Sequence, residues 1–349
     1  MSEDKQPKHT KEELKQMQSL TLAAKISMTQ ARVREWVREY GESGVYISFS
    51  GGKDSTVLLH IVRELYPDIE AVFVDTGLEY PEIRKFVRTF DNVTILRPEM
   101  RFDEVIKKYG YPMISKEVSL AIWYARNGSK WANNYFEGKD SKGEVHSLKK
   151  NMYSKYKPLI CVDFACSDKC CRKIKEKPLE KYEKKAGKVP IVGTMASESK
   201  KRETAWLYTS CNSFDVARPM SKPLSFWTTQ DILQYIKINN IPIASVYGNV
   251  EFEENDEQTR IALECGCDKL CTTGCDRTGC IFCGFGAHLE KGETRFERLK
   301  RTHPKQYAYC MGGGEYDERG LWVPNKQGLG MKHVIDELNK LYGDDFIKY

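Results

Sequence analysis

Short apolar runs alternate along this chain with longer stretches of helical periodicity. Leu14, Met17, Val33, Trp36, Val37 and Tyr40 recur at helical spacings and predict helix within 11–40. "GVYISF" is a β-forming run, after which Val57, Leu58, Ile61, Val62 and Leu65 make one inward helical stripe. The rhythm repeats. "IEAVFVDTG" predicts a second buried strand, "PEIRKFVRTF" a helix opened by Pro81, "NVTILRP" a third strand and "FDEVIKKYG" another helix. "KVPIVGTMAS" reads as a further strand running into a glycine turn. "TTQDILQYIKINN" reads as a threonine-capped helix with Ile232, Leu233 and Ile236 inward. A last helix near 331–342 has Met331, Val334, Ile335, Leu338 and Leu341 as its apolar face. This alternation predicts an α/β fold with a doubly wound, mostly parallel sheet and ligands at the carboxyl ends of its strands.

Two stretches break the pattern. Residues 127–158 are polar and read as an excursion from the core, either a lid or a surface insertion. Residues 251–286 are rich in cysteine. The expected organisation is a helical segment at 1–44, an α/β domain at 45–250 carrying the insert, and a cysteine-rich and helical region at 251–349.

Composition narrows the class. Among 349 residues, 40% are hydrophobic and 30% charged, as in a globular protein. The polar start and the lack of a long apolar run lead to the expectation of a soluble, cytoplasmic protein without a membrane partner. The net charge of +6 is modest, but basic residues crowd "DKCCRKIKEKPLEKYEKKAGK". Such a run is a solvated helix face or a contact for phosphate.

"SFSGGKDSTVLLH" carries the most specific chemistry. Strand, glycine loop and helix start together form a phosphate site, because glycines admit backbone amides and the helix end favours negative charge. It is not a Walker A loop, since Asp54 follows Lys53 where Ser or Thr is required. The loop resembles the PP-loop of the adenine nucleotide alpha hydrolase superfamily. With "FVDTGLEYPE", "SDKCCRKIKEKPL", "GTMASESKKR", "SKPLSFWT" and "RTGCIFCGFG", the chain resembles the phosphoadenosine phosphosulfate reductase family from Val45 to Gly286.

The resemblance implies an adenine nucleotide, ATP with Mg²⁺, as ligand. Ser50, Gly51, Gly52, Asp54 and Ser55 would cradle the phosphates, with Lys53 adding charge. Asp75 and Thr76 would line the site, Asp75 holding Mg²⁺ directly or through water. Gly193 would let backbone approach the nucleotide. Arg202 would contact an anion, its alternative being a surface salt bridge. Met195 stands where related reductases tend to carry arginine.

Twelve cysteines without a secretory signal suggest metal ligation or reactive thiols. Cys280-x-x-Cys283 and the pair Cys170-Cys171 offer four thiolates, suited to iron–sulfur or zinc. The family resemblance implies a 4Fe–4S cluster on Cys170, Cys171, Cys280 and Cys283, with Zn²⁺ as the alternative. Cys275 with Cys280 and Cys283 also has a ferredoxin-like spacing that could recruit Cys310. A second zinc at Cys265, Cys267, Cys271 and Cys275 is a further reading. Cys161, Cys166 and Cys211 read as buried small hydrophobes.

Sulfonucleotide reductases of the family use a cysteine in a carboxy-terminal Glu-Cys-Gly. Here the sequence closes on "LNKLYGDDFIKY", and "ECG" falls at Glu264 to Gly266. With the complete PP-loop, this favours an ATP-dependent, pyrophosphate-releasing sulfurtransferase. An acceptor oxygen would attack the α-phosphate, with Lys53 and Asp54 at the reacting end. Sulfur from a persulfide or a cluster-bound sulfide would then displace AMP, Cys310 being the candidate reactive thiol. The acceptor would be a nucleic acid or a small molecule, and a partner protein would donate sulfur or electrons. Two alternatives are a phosphoadenosine or adenosine phosphosulfate reductase, and a non-catalytic nucleotide-binding module with structural zinc.

Overall fold

The computed structural model describes residues 6–140, 142–253 and 269–349, and its centre is a six-stranded sheet. In spatial order the strands are Val93–Leu96, Ala71–Val74, Val45–Ser48, Val189–Val192, Met220–Ser221 and Asn212–Ser213. The first five run parallel; Asn212–Ser213 is antiparallel to its neighbour. Parallel strands covered on both faces are mostly apolar, and Val45, Tyr46, Ile47, Ala71 and Ile191 are fully buried, whereas the edge strand Val93–Leu96 leaves Ile95 exposed. The expected α/β class with a mostly parallel sheet holds.

The compact units do not follow the linear segments read from the sequence. One comprises the described residues of Met1–Asp75, Glu79–Leu96 and Leu179–Thr278; the other comprises those of Thr76–Leu78, Arg97–Pro178 and Gly279–Tyr349. The amino-terminal helices therefore belong to the sheet's unit. The predicted helical stretch at its start is two helices, Lys11–Gln18 and Leu22–Tyr40. Thr21 interrupts it, its hydroxyl capping the second helix at the Ala24 amide.

Helix Lys53–Leu65 buries Val57, Leu58, Ile61 and Val62 completely, as the stripe predicted. Thr228 caps Thr229–Ile238 reciprocally with Asp231. The Asp231 carboxylate also accepts from the buried Lys25 ammonium at 2.7 Å. That pair ties Leu22–Tyr40 to Thr229–Ile238, and Thr29 reinforces it by accepting from the Trp227 indole at 2.9 Å.

The second unit contains helices Phe102–Tyr109, Lys116–Arg126 and Met331–Tyr342. Met331, Val334, Ile335 and Leu338 are buried, whereas Leu341, expected on the same face, is 43% exposed. Met113–Ile114 pairs in parallel with Gly284–Phe285, so close that a Cβ on Gly284 would strike Met113. The polar insert carries helices Lys130–Phe136 and Ser147–Tyr153, with every residue from 142 to 152 exposed. Among the described residues, no helix is long and apolar enough to cross a membrane.

Candidate functional site

Strand order reverses between Val45–Ser48 and Val189–Val192, and the glycine loop leaves the carboxyl end of the first of these. An open α/β sheet binds its ligands at such a switch point. The loop is held from within. The Ser50 amide donates to Ser55 Oγ at 3.2 Å, and Ser55 Oγ donates to the Gly52 carbonyl at 2.9 Å. Gly51 has φ +72°, and a Cβ there would lie 2.7 Å from Val87 and 2.8 Å from Ile83. Only glycine fits that bend. Gly52 caps helix Lys53–Leu65 without a side-chain hydrogen bond, as suits amides meant for an anion.

Two cavities adjoin the loop. The larger, about 400 Å³, is lined by Ser50, Gly52, Ser55, Gly193, Arg202 and Thr278, among others. The other, about 300 Å³, lies against Thr229, Gln230, Leu233, Lys269 and Cys271. Lys53, Asp54, Glu198 and Arg277 line both. Four charged side chains thus stand where the two chambers meet.

Their balance is specific. Lys53 donates its ammonium to the Asp276 carbonyl and lies 5.4 Å from the Tyr247 ring centroid. Burial lowers its pKa from the usual lysine range. Burial also raises the Asp54 carboxyl, against the opposing charges of Lys53, Arg277 and Arg202, and Asp54 Oδ1 is buried without a hydrogen-bond partner. Arg202 and Arg277 both pair with Glu198. A phosphate entering here would compete with one carboxylate for two guanidinium groups.

The structure brings Ser50, Gly51, Gly52, Lys53, Asp54, Ser55, Gly193 and Arg202 together. Gly193 is needed for a different close approach than expected: its Cβ would meet the Asp54 carbonyl at 3.2 Å and Ser55 Cα at 3.3 Å. Arg202 combines both readings, a salt bridge and a wall of the cavity. Asp75 lines neither cavity. Its carboxylate is engaged by Arg84 at 2.9 Å and Arg88 at 3.8 Å, so Mg²⁺ would have to displace two cations. Thr76 belongs to the other unit, where its hydroxyl accepts from the Leu78 amide at 3.2 Å. Glu198, Tyr247, Asp276, Arg277 and Thr278 were missed. "RTG" ahead of the C-x-x-C was the available signal; the other contacts depend on distant parts of the chain.

The second unit gathers Cys170, Cys171, Cys280 and Cys283. Cys170 donates to Cys171, so its own pKa rises, burial and the nearby Cys280 and Cys283 adding to the effect. The same hydrogen bond, helped by Lys116 and Lys175, lowers Cys171 below the usual thiol range. Burial raises Cys283 to about 11, and the Cys280 charge adds to it. Four thiols near enough to shift one another's protonation are a donor set suited to a four-thiolate centre. Among the described residues, however, no three Cys, His, Asp or Glu side chains stand as a ready-made ion site.

The surroundings of Cys310 argue against its expected role. It is fully buried, and burial alone raises its pKa, without a contribution from the other cysteines. A nucleophile needs an accessible thiolate, so Cys310 does not fit that role or the ferredoxin-like set. For the second zinc reading, Cys265 and Cys267 lie outside the described residues. Cys275 donates its thiol to the Arg277 carbonyl at 3.0 Å, while Cys271 faces the smaller cavity.

The model of the phosphoadenosine phosphosulfate reductase domain matches residues 44–284. An adenosine 5'-phosphosulfate reductase of Staphylococcus haemolyticus is 26% identical over 62% of this chain and 70% of its own length. Two uncharacterized proteins of Methanocaldococcus jannaschii are 39% and 43% identical, but the chain spans only 17% and 15% of their lengths. A phosphoadenylyl-sulfate reductase structure from Candida auris overlaps 72% of this chain and 98% of that one, at 15% identity and TM-score 0.36. An FMN adenylyltransferase of Candida glabrata in complex with ATP overlaps 74% and 88%, at 11% identity and TM-score 0.37. Overlaps this loose carry no argument about the site.

Proposed function

The chain belongs to the phosphoadenosine phosphosulfate reductase domain family, and from that premise we propose that it is an ATP-dependent, pyrophosphate-releasing sulfurtransferase. One observation carries this reading: the phosphate loop opens on two chambers that share Lys53, Asp54, Glu198 and Arg277. The larger chamber takes the nucleotide, its phosphates on the amides of Gly51 to Ser55. The smaller takes the acceptor. An acceptor carbonyl oxygen attacks the α-phosphorus, the α–β bridging bond breaks and pyrophosphate leaves. Hydrosulfide then adds to the activated carbon, the carbon–oxygen bond breaks, and AMP carries that oxygen away.

The residues divide the work. Backbone amides, Arg202 and Arg277 bear the phosphate charge, and Lys53 exchanges the Asp276 carbonyl for a phosphate oxygen. Asp54 is the carboxylate available at the junction for Mg²⁺, which would neutralise the phosphates and assist the leaving group. Cys170, Cys171, Cys280 and Cys283 would hold a 4Fe–4S cluster supplying redox or sulfur chemistry, or alternatively zinc.

The relatives named adenosine 5'-phosphosulfate reductase favour a second reading, reduction of a sulfonucleotide in the larger chamber. Anaerobic turnover separates the two. AMP and pyrophosphate formed from ATP, with hydrosulfide and an acceptor present, support sulfur transfer. Sulfite released from adenosine 5'-phosphosulfate with a thiol reductant, and no pyrophosphate from ATP, would replace it with the reductase.

A further inference from the structure

The insert of the second unit presents a surface that the nucleotide chemistry does not use. Residues 127–158 hold seven lysines against three acids. Glu137 is taken by Lys139 and Lys157, and Asp140 pairs with His146. Among the described residues, Lys130, Lys142, Lys149 and Lys150 have no acidic partner.

A file of aromatic rings runs through the same region. Ring centroids stand 5.0 Å apart for Trp123 and Tyr124, 6.1 Å for Tyr124 and Trp131, 5.8 Å for Trp131 and Tyr135, and 4.4 Å for Tyr135 and Tyr153. The Lys169 ammonium lies 5.0 Å from the Trp123 centroid and 5.6 Å from that of Tyr124. These rings are not simply core. Trp131 is 52% exposed and Tyr124 39%. An ordinary solvated face has no need of an exposed tryptophan joined to a ladder of rings.

We propose that this face binds single-stranded nucleic acid, with bases stacking on Trp131 and Tyr124 and phosphates meeting Lys130, Lys149 and Lys150. The lysine excess is complementary to a polyanion, and flat π faces accept any unpaired base. A duplex hides its bases in the stack, so single strands are preferred. The inference goes beyond the nucleotide reading, because binding needs neither ATP nor turnover.

Fluorescence anisotropy without ATP tests it, using labelled mixed-sequence RNA and DNA strands of about 16 nucleotides. Affinity should fall as salt rises and exceed that for the matching duplex. Trp131→Ala should weaken binding about tenfold, the scale of one lost base stack. Lys149→Glu with Lys150→Glu should weaken it further and flatten the salt dependence by about one to two in log–log slope. All these side chains are exposed, and an unchanged unfolding temperature would verify that the variants fold. Absence of binding at low salt would overturn the proposal. So would equal affinity for duplex, indifference to Trp131→Ala, or binding to acidic phospholipid vesicles in place of oligonucleotides, since exposed Leu148 and Met152 could serve a membrane surface.

Discussion

The Lys53 ammonium donates to the main-chain carbonyl of Asp276, a residue more than two hundred positions further along the chain. The loop lysine therefore already has a protein partner, and nucleotide binding exchanges one acceptor for another. Lys53→Met should lower ATP affinity about tenfold or more, the scale of a lost charge-assisted hydrogen bond. Because burial disfavours this ammonium, the unfolding temperature should stay level or rise. Calorimetric titration together with thermal unfolding reads both effects.

Glu198 holds Arg202 and Arg277, and so restrains the positive charge of the cavity. Arg202→Ala and Arg277→Ala should each weaken ATP binding about tenfold. Glu198→Gln should act in the opposite direction, strengthening binding of ATP and of inorganic pyrophosphate alike. A weaker pyrophosphate affinity in Glu198→Gln would mean that the carboxylate chiefly positions the arginines.

Asp54 gives a pH signature. Its folded-state pKa is raised by burial, so its contribution to stability is fully present below about pH 3.8 and lost as pH rises through the raised value. Asp54→Asn should therefore stabilise the protein at neutral pH, with the gain vanishing in acid, and should impair Mg²⁺-dependent ATP binding. Denaturant unfolding across pH checks the first part. A gain that persisted unchanged below pH 3.8 would contradict the assignment.

Gly51 and Gly187 both have positive φ, at +72° and +67°, but only Gly51 has neighbours where a Cβ would go. Gly187→Ala should cost about 1 kcal/mol from conformation alone. Gly51→Ala adds a clash with Val87 and Ile83 and should cost about 3 kcal/mol or more. Chemical denaturation of the two variants measures the difference.

Cys310 should behave as a packing residue. Cys310→Ala is expected to lower stability by about 1–2 kcal/mol, through the small cavity left behind, without altering turnover. Loss of activity in a variant that remains folded would restore the thiol to the chemistry.

The strands Val45–Ser48, Ala71–Val74, Val93–Leu96 and Val189–Val192, the threonine cap of Thr229–Ile238 and the phosphate loop were legible because each is written in neighbouring residues. Periodicity, capping chemistry and a glycine bend are local properties. Val57, Leu58, Ile61 and Val62 could face only the core, and the bend at Gly51 admits only glycine. Tertiary structure decided what no local pattern contains: Asp276 against Lys53, Glu198 between two arginines, Asp75 claimed by Arg84 and Arg88, and Cys310 sealed in the second unit. Those outcomes depend on which distant segments the sheet and helices bring together. Burial and charge pairing are set by that assembly, which is why a cysteine or aspartate of the right type and spacing could still meet the wrong environment for its expected role.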